Sequence, residues 1–183
     1  MKRFSSIVSV LIILGVIYWS FADLKPSLKT SKSSTERDFS IENALNHLEK
    51  ISKEVHYTGS KEHKKVQSYI VTELQKMGFE TEIQTQTAIN KKWFAATTAE
   101  NIIAKLKGSG SGKALLLLTH YDSNPHSSLG ASDAGSGVVT ILEGLRAFIA
   151  KNKTQKNDIV VLISDAEEMG LLGAKAFVDA HSW

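Results

Sequence analysis

The chain has 183 residues, a net charge of +3, a 42% hydrophobic content and no cysteine, which suits one globular domain of ordinary size. Without cysteine there can be no disulfide and no thiolate metal site, so any metal must be held by His, Asp or Glu. The small charge excludes an argument for nucleic acid: Lys61, Lys64, Lys65, Lys151, Lys153 and Lys156 are scattered, as on solvated faces.

Lys2 and Arg3 precede an uncharged stretch, residues 4–22, dominated by Ile, Val and Leu, with Tyr18, Trp19 and Phe21 at its far end. About 20 apolar residues can span a bilayer as a helix, and Tyr and Trp near one end fit an interfacial belt. Residues 1–22 are therefore expected to form a signal anchor, a transmembrane helix. The alternative is a cleaved signal peptide, whose apolar core is ordinarily shorter and whose small-residue cleavage site is not evident before Asp23. Lys2 and Arg3 point to a cytoplasmic amino terminus, although Lys25, Lys29 and Lys32 follow on the other side. The expected localisation is a single-pass membrane protein with its remaining chain outside the cytoplasm. Residues 23–38, rich in Ser, Thr and Lys, read as a flexible tether.

The soluble part, residues 39–183, alternates helices and strands. Ser40 reads as an N-cap, with Ile41, Ala44, Leu45, Leu48 and Ile51 at helical spacing after it. Ser60 reads as a second cap, followed by Val66, Tyr69, Ile70, Leu74 and Met77, with Gly78 as the stop. Residues 79–87 alternate polar and apolar and read as a strand; residues 101–106 read as its antiparallel neighbour. Residues 114–118 are wholly apolar, which predicts a central strand buried on both faces. Val138, Val139, Ile141, Leu142, Leu145, Phe148 and Ile149 form one helical face. A strand over 158–163 and a helix over 168–180 complete the chain. The predicted fold class is α/β, a three-layer sandwich around a mostly parallel mixed sheet.

Two of these strands end in residues suited to metal chemistry. The first runs into Thr119-His120-Tyr121-Asp122-Ser123 and the second into Ser164-Asp165-Ala166-Glu167-Glu168. Between them, Gly130 to Gly137 open a helix around Asp133. Ligands of open α/β sheets bind at the carboxyl ends of the strands. If these two strands are parallel neighbours, His120, Asp133, Glu167 and Glu168 converge at one edge. Singly, each has an ordinary explanation: a strand-end histidine, a turn or N-cap aspartate, a solvated loop acid for Asp122, and acids favoured by a helix dipole. Together, an imidazole with several carboxylates is the ligand chemistry of hydrolytic zinc, manganese or cobalt. His47, His56, His63, His126 and His181 lack such context and read as surface or local hydrogen-bonding residues.

The stretches LLLLTHYDS, GASDAGSGV and DAEEMGLLGA resemble the motifs of metallopeptidase family 28, the co-catalytic zinc aminopeptidase family. HYTGSKEHKKVQSYIVTELQKMGFE and AENIIAKLKG extend the resemblance, which covers about residues 40–183 and is closest to the membrane-anchored endoplasmic-reticulum and vacuolar membrane proteases of that family. The resemblance implies a zinc exopeptidase fold and two zinc ions. It implies metal ligation by His120, Asp133 and Glu168, with Asp133 bridging, Glu167 as general base, and Asp122 orienting His120. It also implies a further Asp and a distal His, for which Asp179 and His181 do not stand in, so the chain is expected to be the front half of a catalytic domain. The activity implied is that of a membrane-anchored zinc-dependent exopeptidase, an aminopeptidase acting on peptides. A single-zinc glutaminyl cyclase and an inactive fragment or non-catalytic module on the same scaffold are the alternatives. Neither nucleic acid nor an oligomeric state is implied.

Overall fold

A computed structural model describes residues 2–22, 24, 35–110, 112–126, 128–151 and 154–181. The chain divides into two compact units, Met1–Ser33 and Ser34–Trp183. The first contains helix α1 (Lys2–Ala22). Among the described residues no helix is long and apolar enough to cross a membrane, which corrects the expected transmembrane helix over residues 1–22. The apolar residues of α1 are interrupted by Ser6, Ser9, Gly15 and Ser20, the last returning its hydroxyl to the carbonyl of Val16. Most of the tether expected over 23–38 lies outside the described residues.

The second unit is built on four strands, β1 (Glu80–Asn90), β2 (Ala95–Leu106), β3 (Leu115–His120) and β4 (Ile159–Ser164), in the order β1-β2-β4-β3. Alternation along the strands assigns the two faces. Ile102 and Ala104 of β2, with Ile159, Val161 and Ile163 of β4, join one core with helices α2 (Ile41–Ile51), α3 (Lys61–Lys76) and α4 (Ser136–Ile149). Ile103 and Leu162 point the other way and meet Phe177 of helix α5 (Leu172–Ala180). The sheet is thus covered on both sides, a three-layer α/β arrangement.

The helix starts follow from local chemistry. Ser40 accepts a hydrogen bond from the amide of Asn43, and Ser60 one from that of His63, each satisfying an amide that has no partner within the helix. Gly78, at a φ of 86°, turns the chain out of α3 into β1.

Three expectations are corrected. Among the described strands the mixed sheet is not mostly parallel: β1 pairs antiparallel with β2, and β2 antiparallel with β4, leaving β3 and β4 as the parallel pair. The short β1–β2 connection is a hairpin, whereas β3 reaches β4 through the crossover helix α4. Secondly, among the described strands β3 lies at one edge of the sheet and is not buried on both faces, with Leu115, Leu116 and Leu118 exposed by 52%, 40% and 56%. An all-leucine run looks the same in sequence whether one neighbour covers it or two. Thirdly, α5 begins at Leu172, not at residue 168, because Gly170 and Leu171 hold left-handed φ values of 95° and 62°.

An edge strand with exposed leucines is a template for association. In this 183-residue chain, replacing Leu116 and Leu118 together by lysine should raise the soluble fraction and reduce concentration-dependent light scattering while leaving the far-ultraviolet dichroism unchanged.

Candidate functional site

Strands β3 and β4 run parallel and in register, with His120 opposite Ser164. Their carboxyl ends therefore release His120-Tyr121-Asp122 and Asp165-Ala166-Glu167-Glu168 at the same edge of the sheet.

Asp122, 1% exposed, organises this edge. Its Oδ1 accepts the amide of Glu167 at 3.0 Å and its Oδ2 the amide of Glu168 at 3.1 Å. The same carboxylate stands 3.3 Å from Nδ1 of His120, which also lies 3.1 Å from the Asp122 carbonyl. With Nδ1 so engaged, Nε2 of His120 faces Oδ1 of Asp133 at 2.9 Å and Oε2 of Glu167 at 3.9 Å. Asp133 comes from the single turn Ala131–Gly135 that leads into α4, and its side chain is 73% exposed. Glu168 is turned elsewhere: its Oε2 accepts a hydrogen bond from Nδ2 of Asn124 at 3.1 Å.

The charges respond to this crowding. Burial works against protonation of His120, yet the hydrogen bond and charge of Asp122, with Asp133 and Glu167 behind them, outweigh it and raise its pKa from 6.5 to about 9. Burial also raises the pKa of Glu167; His120 opposes that rise, while Asp122, Glu168 and Asp133 add to it.

A second buried carboxylate supports the acid turn from below. Asp165 accepts from the hydroxyl of Thr58, from the amide of Glu100 and from the amide of Ala166 at 2.9, 2.9 and 2.7 Å, and pairs with Nε2 of His63 at 2.8 Å. The His63 ring stacks on Tyr121 at 4.5 Å. His63 and His56 are each 1% exposed, so neither is a surface residue. His56 donates its amide to Ser123 beside the site, and its ring lies so close to Gly130 that a Cβ there would come within 2.9 Å. The other histidines lie elsewhere: His47 bonds Tyr69, His181 stacks on Phe177, and His126 is exposed.

The donor chemistry suits a hydrolytic divalent cation: imidazole nitrogen and carboxylate oxygen, with the far nitrogen of His120 oriented by an acid. The structure brings His120, Asp122, Asp133 and Glu167 together, and leaves the Glu168 carboxylate on Asn124. Among the described residues, no group of three or more His, Asp and Glu side chains is assembled as a metal cage. Sequence reasoning missed Asn124 and the His63–Asp165 pair, whose only signal was a second aspartate at the head of the acid motif.

Residues 101–183 match the model of a known family, peptidase family M28. The chain belongs to that family. A vacuolar membrane protease of Candida albicans (strain WO-1) is 30% identical over 179 residues, covering 97% of this chain and 21% of the relative. One of Yarrowia lipolytica is 42% identical over 86 residues, 45% of this chain and 8% of the relative. The chain thus spans about a fifth or less of the length of these curated relatives. Among solved structures, a Zn-dependent exopeptidase from Parabacteroides distasonis aligns with a TM-score of 0.60 and 26% identity, over 72% of this chain and 48% of that one. A glutaminyl cyclase from Porphyromonas gingivalis shares the fold, with a TM-score of 0.68 at 24% identity over 79% of this chain and 55% of that one. So does a leucine aminopeptidase precursor from Bacteroides thetaiotaomicron, with a TM-score of 0.65 at 23% identity over 79% and 58%.

Because the folded pKa of His120 lies above its ordinary value of 6.5, its contribution to stability in this family member is complete below about 6.5 and is lost as pH rises through about 9. In metal-free protein, nitrogen-detected NMR should show His120 titrating near the upper value. Asp122→Asn should bring the pKa down and flatten the fall in urea midpoint across that interval.

Proposed function

We propose that these residues belong to the active site of a zinc-dependent exopeptidase, an aminopeptidase that removes amino-terminal residues from peptides. The observation that carries this reading is the Asp122 clamp. One buried carboxylate sets the imidazole of His120 and fixes the backbone of both glutamates, so two acids adjacent in sequence present different side-chain environments.

Residues His120, Asp133 and Glu168 would hold the metal, and two zinc ions are expected in the complete site. Bound zinc supplies Lewis acidity, which makes a water nucleophilic at neutral pH and stabilises charge on the scissile carbonyl oxygen. His120 serves as a ligand only after losing its Nε2 proton, so zinc uptake releases protons. Asp122 keeps the proton on Nδ1 and the ring in one orientation. Glu167, whose pKa is raised, takes the proton of the attacking water at a side-chain oxygen and passes it to the leaving amine.

The zinc assignment is supported by the ligand chemistry and by the zinc dependence in the name of the Parabacteroides distasonis neighbour. The aminopeptidase assignment draws on the name of the Bacteroides thetaiotaomicron neighbour. Work at a membrane is part of the proposal because relatives matched over nearly the whole chain are named vacuolar membrane proteases. The peptide substrate is the partner proposed.

The two glutamates separate the roles. In the natural full-length protein, Glu167→Gln should retain zinc by mass spectrometry. Its kcat on an aminoacyl anilide should fall by a factor of about 10² to 10⁴ with little change in KM, since an amide accepts a hydrogen bond but takes no proton. Glu168→Ala should lose zinc and activity together. If Glu167→Gln strips the metal while Glu168→Ala keeps it, the roles are reversed; full activity in both variants refutes the peptidase reading. Conversion of amino-terminal glutamine to a cyclic product with a single bound zinc would instead make the protein a glutaminyl cyclase.

A further inference from the structure

Beside the acid turn is a cavity of about 300 Å³ lined by Trp93, Glu167, Glu168, Gly170 and Leu171. Its size is at the low end for ligand pockets, suiting one side chain rather than a whole ligand. Trp93 comes from the tip of the β1–β2 hairpin, far from the acid motif in sequence. We propose that this hairpin tip builds a substrate subsite, in which Trp93 and Leu171 seat an apolar side chain of the residue next to the bond being cut.

The tip is fastened to the acid turn. Asn90 donates from Nδ2 to the carbonyl of Gly170 at 2.9 Å, while its Oδ1 accepts the amides of Lys92 and Trp93 at 3.0 and 3.3 Å. One side chain thus shapes the hairpin turn and ties it to the loop carrying Glu167 and Glu168. Gly170 completes the fit: a Cβ there would stand 3.2 Å from Cγ of Trp93 and 3.4 Å from Nδ2 of Asn90, and its φ of 95° is one that side chains rarely adopt. The indole packs against Gly170 and yet remains 66% exposed, with Leu171 56% exposed across from it. Exposed apolar side chains rimmed by acids mark a binding surface more often than scattered single residues do.

The occupant follows from continuity. Glu167 lines this cavity and also stands 3.9 Å from Nε2 of His120. A peptide with its scissile carbonyl at the His120 cluster would therefore carry an adjacent side chain into the cavity. Indole and leucine surfaces favour an apolar side chain there, and the two glutamates disfavour an acidic one. The identity of the occupant rests on the proposed peptidase activity; the existence of the subsite does not.

Two measurements on the natural full-length protein test this together. Binding of leucinamide, alaninamide and glutamic acid amide by calorimetry probes the cavity without turnover. The ratio of kcat/KM for leucyl over alanyl anilide probes it during turnover. Wild type should bind leucinamide most tightly. Trp93→Ala should cut both leucine-to-alanine ratios roughly tenfold, as loss of an apolar wall does. Trp93→Phe should restore most of each ratio, and Asn90→Ala should lower both by releasing the tip. Leucine-to-alanine ratios unchanged in Trp93→Ala overturn the subsite. So does a Trp93→Ala variant that loses only adsorption to phosphatidylcholine vesicles, which would make the tip a lipid contact. Selective binding of leucinamide without hydrolysis of any anilide keeps the subsite and sinks the peptidase reading alone.

Discussion

The site depends on one buried carboxylate. Asp122 is almost without solvent contact, and a buried charge is tolerable only when it is paired and hydrogen-bonded. Its oxygens accept the amides of Glu167 and Glu168, and it faces the imidazole of His120. Two chain segments that meet only because β3 and β4 are parallel neighbours are thereby fixed to each other. Removing that carboxylate would orphan two amides and leave the histidine ring held only by the Asp122 carbonyl and Asp133.

Asp165 does for the underside of the turn what Asp122 does for its top. Burial alone would raise its pKa, but the hydrogen bond and charge of His63, with the Glu100 amide and the Thr58 hydroxyl, outweigh that and lower it. Ala166 stands between the two anchored aspartate and glutamate positions at a φ of 54°, a left-handed value for a residue with a Cβ. Such a conformation persists when the surroundings over-determine it, and here hydrogen bonds hold the backbone on both sides. Gly173 lets α5 close over the same place: a Cβ there would fall 2.1 Å from the Asp165 carbonyl oxygen.

The site thus has a pinned part and a surrounding part. The acids sit on strand ends and on a turn pinned by buried groups, whereas Asn124, Trp93 and Leu171 project from loops around them. Function-bearing loops around a fixed strand edge are the usual arrangement of an α/β sheet.

Much of the fold was legible because it is local. The caps at Ser40 and Ser60, the apolar stripes of α3 and α4, and the short β-branched run of β4 each follow from spacing within about a dozen residues. The acid and histidine motifs were legible as chemistry for the same reason. The sequence by itself therefore determined the helices, most strands and the set of polar residues at the strand ends. Only the tertiary structure decided which strand is at the edge, that β2 runs antiparallel to β4, and that His56 and His63 are buried. It also decided that Asp122 binds two distant amides and that Trp93 lies beside Glu167. Each of these is a contact across a long stretch of chain. Spacing along a sequence records a residue's own period, not the partner that long-range packing brings to it.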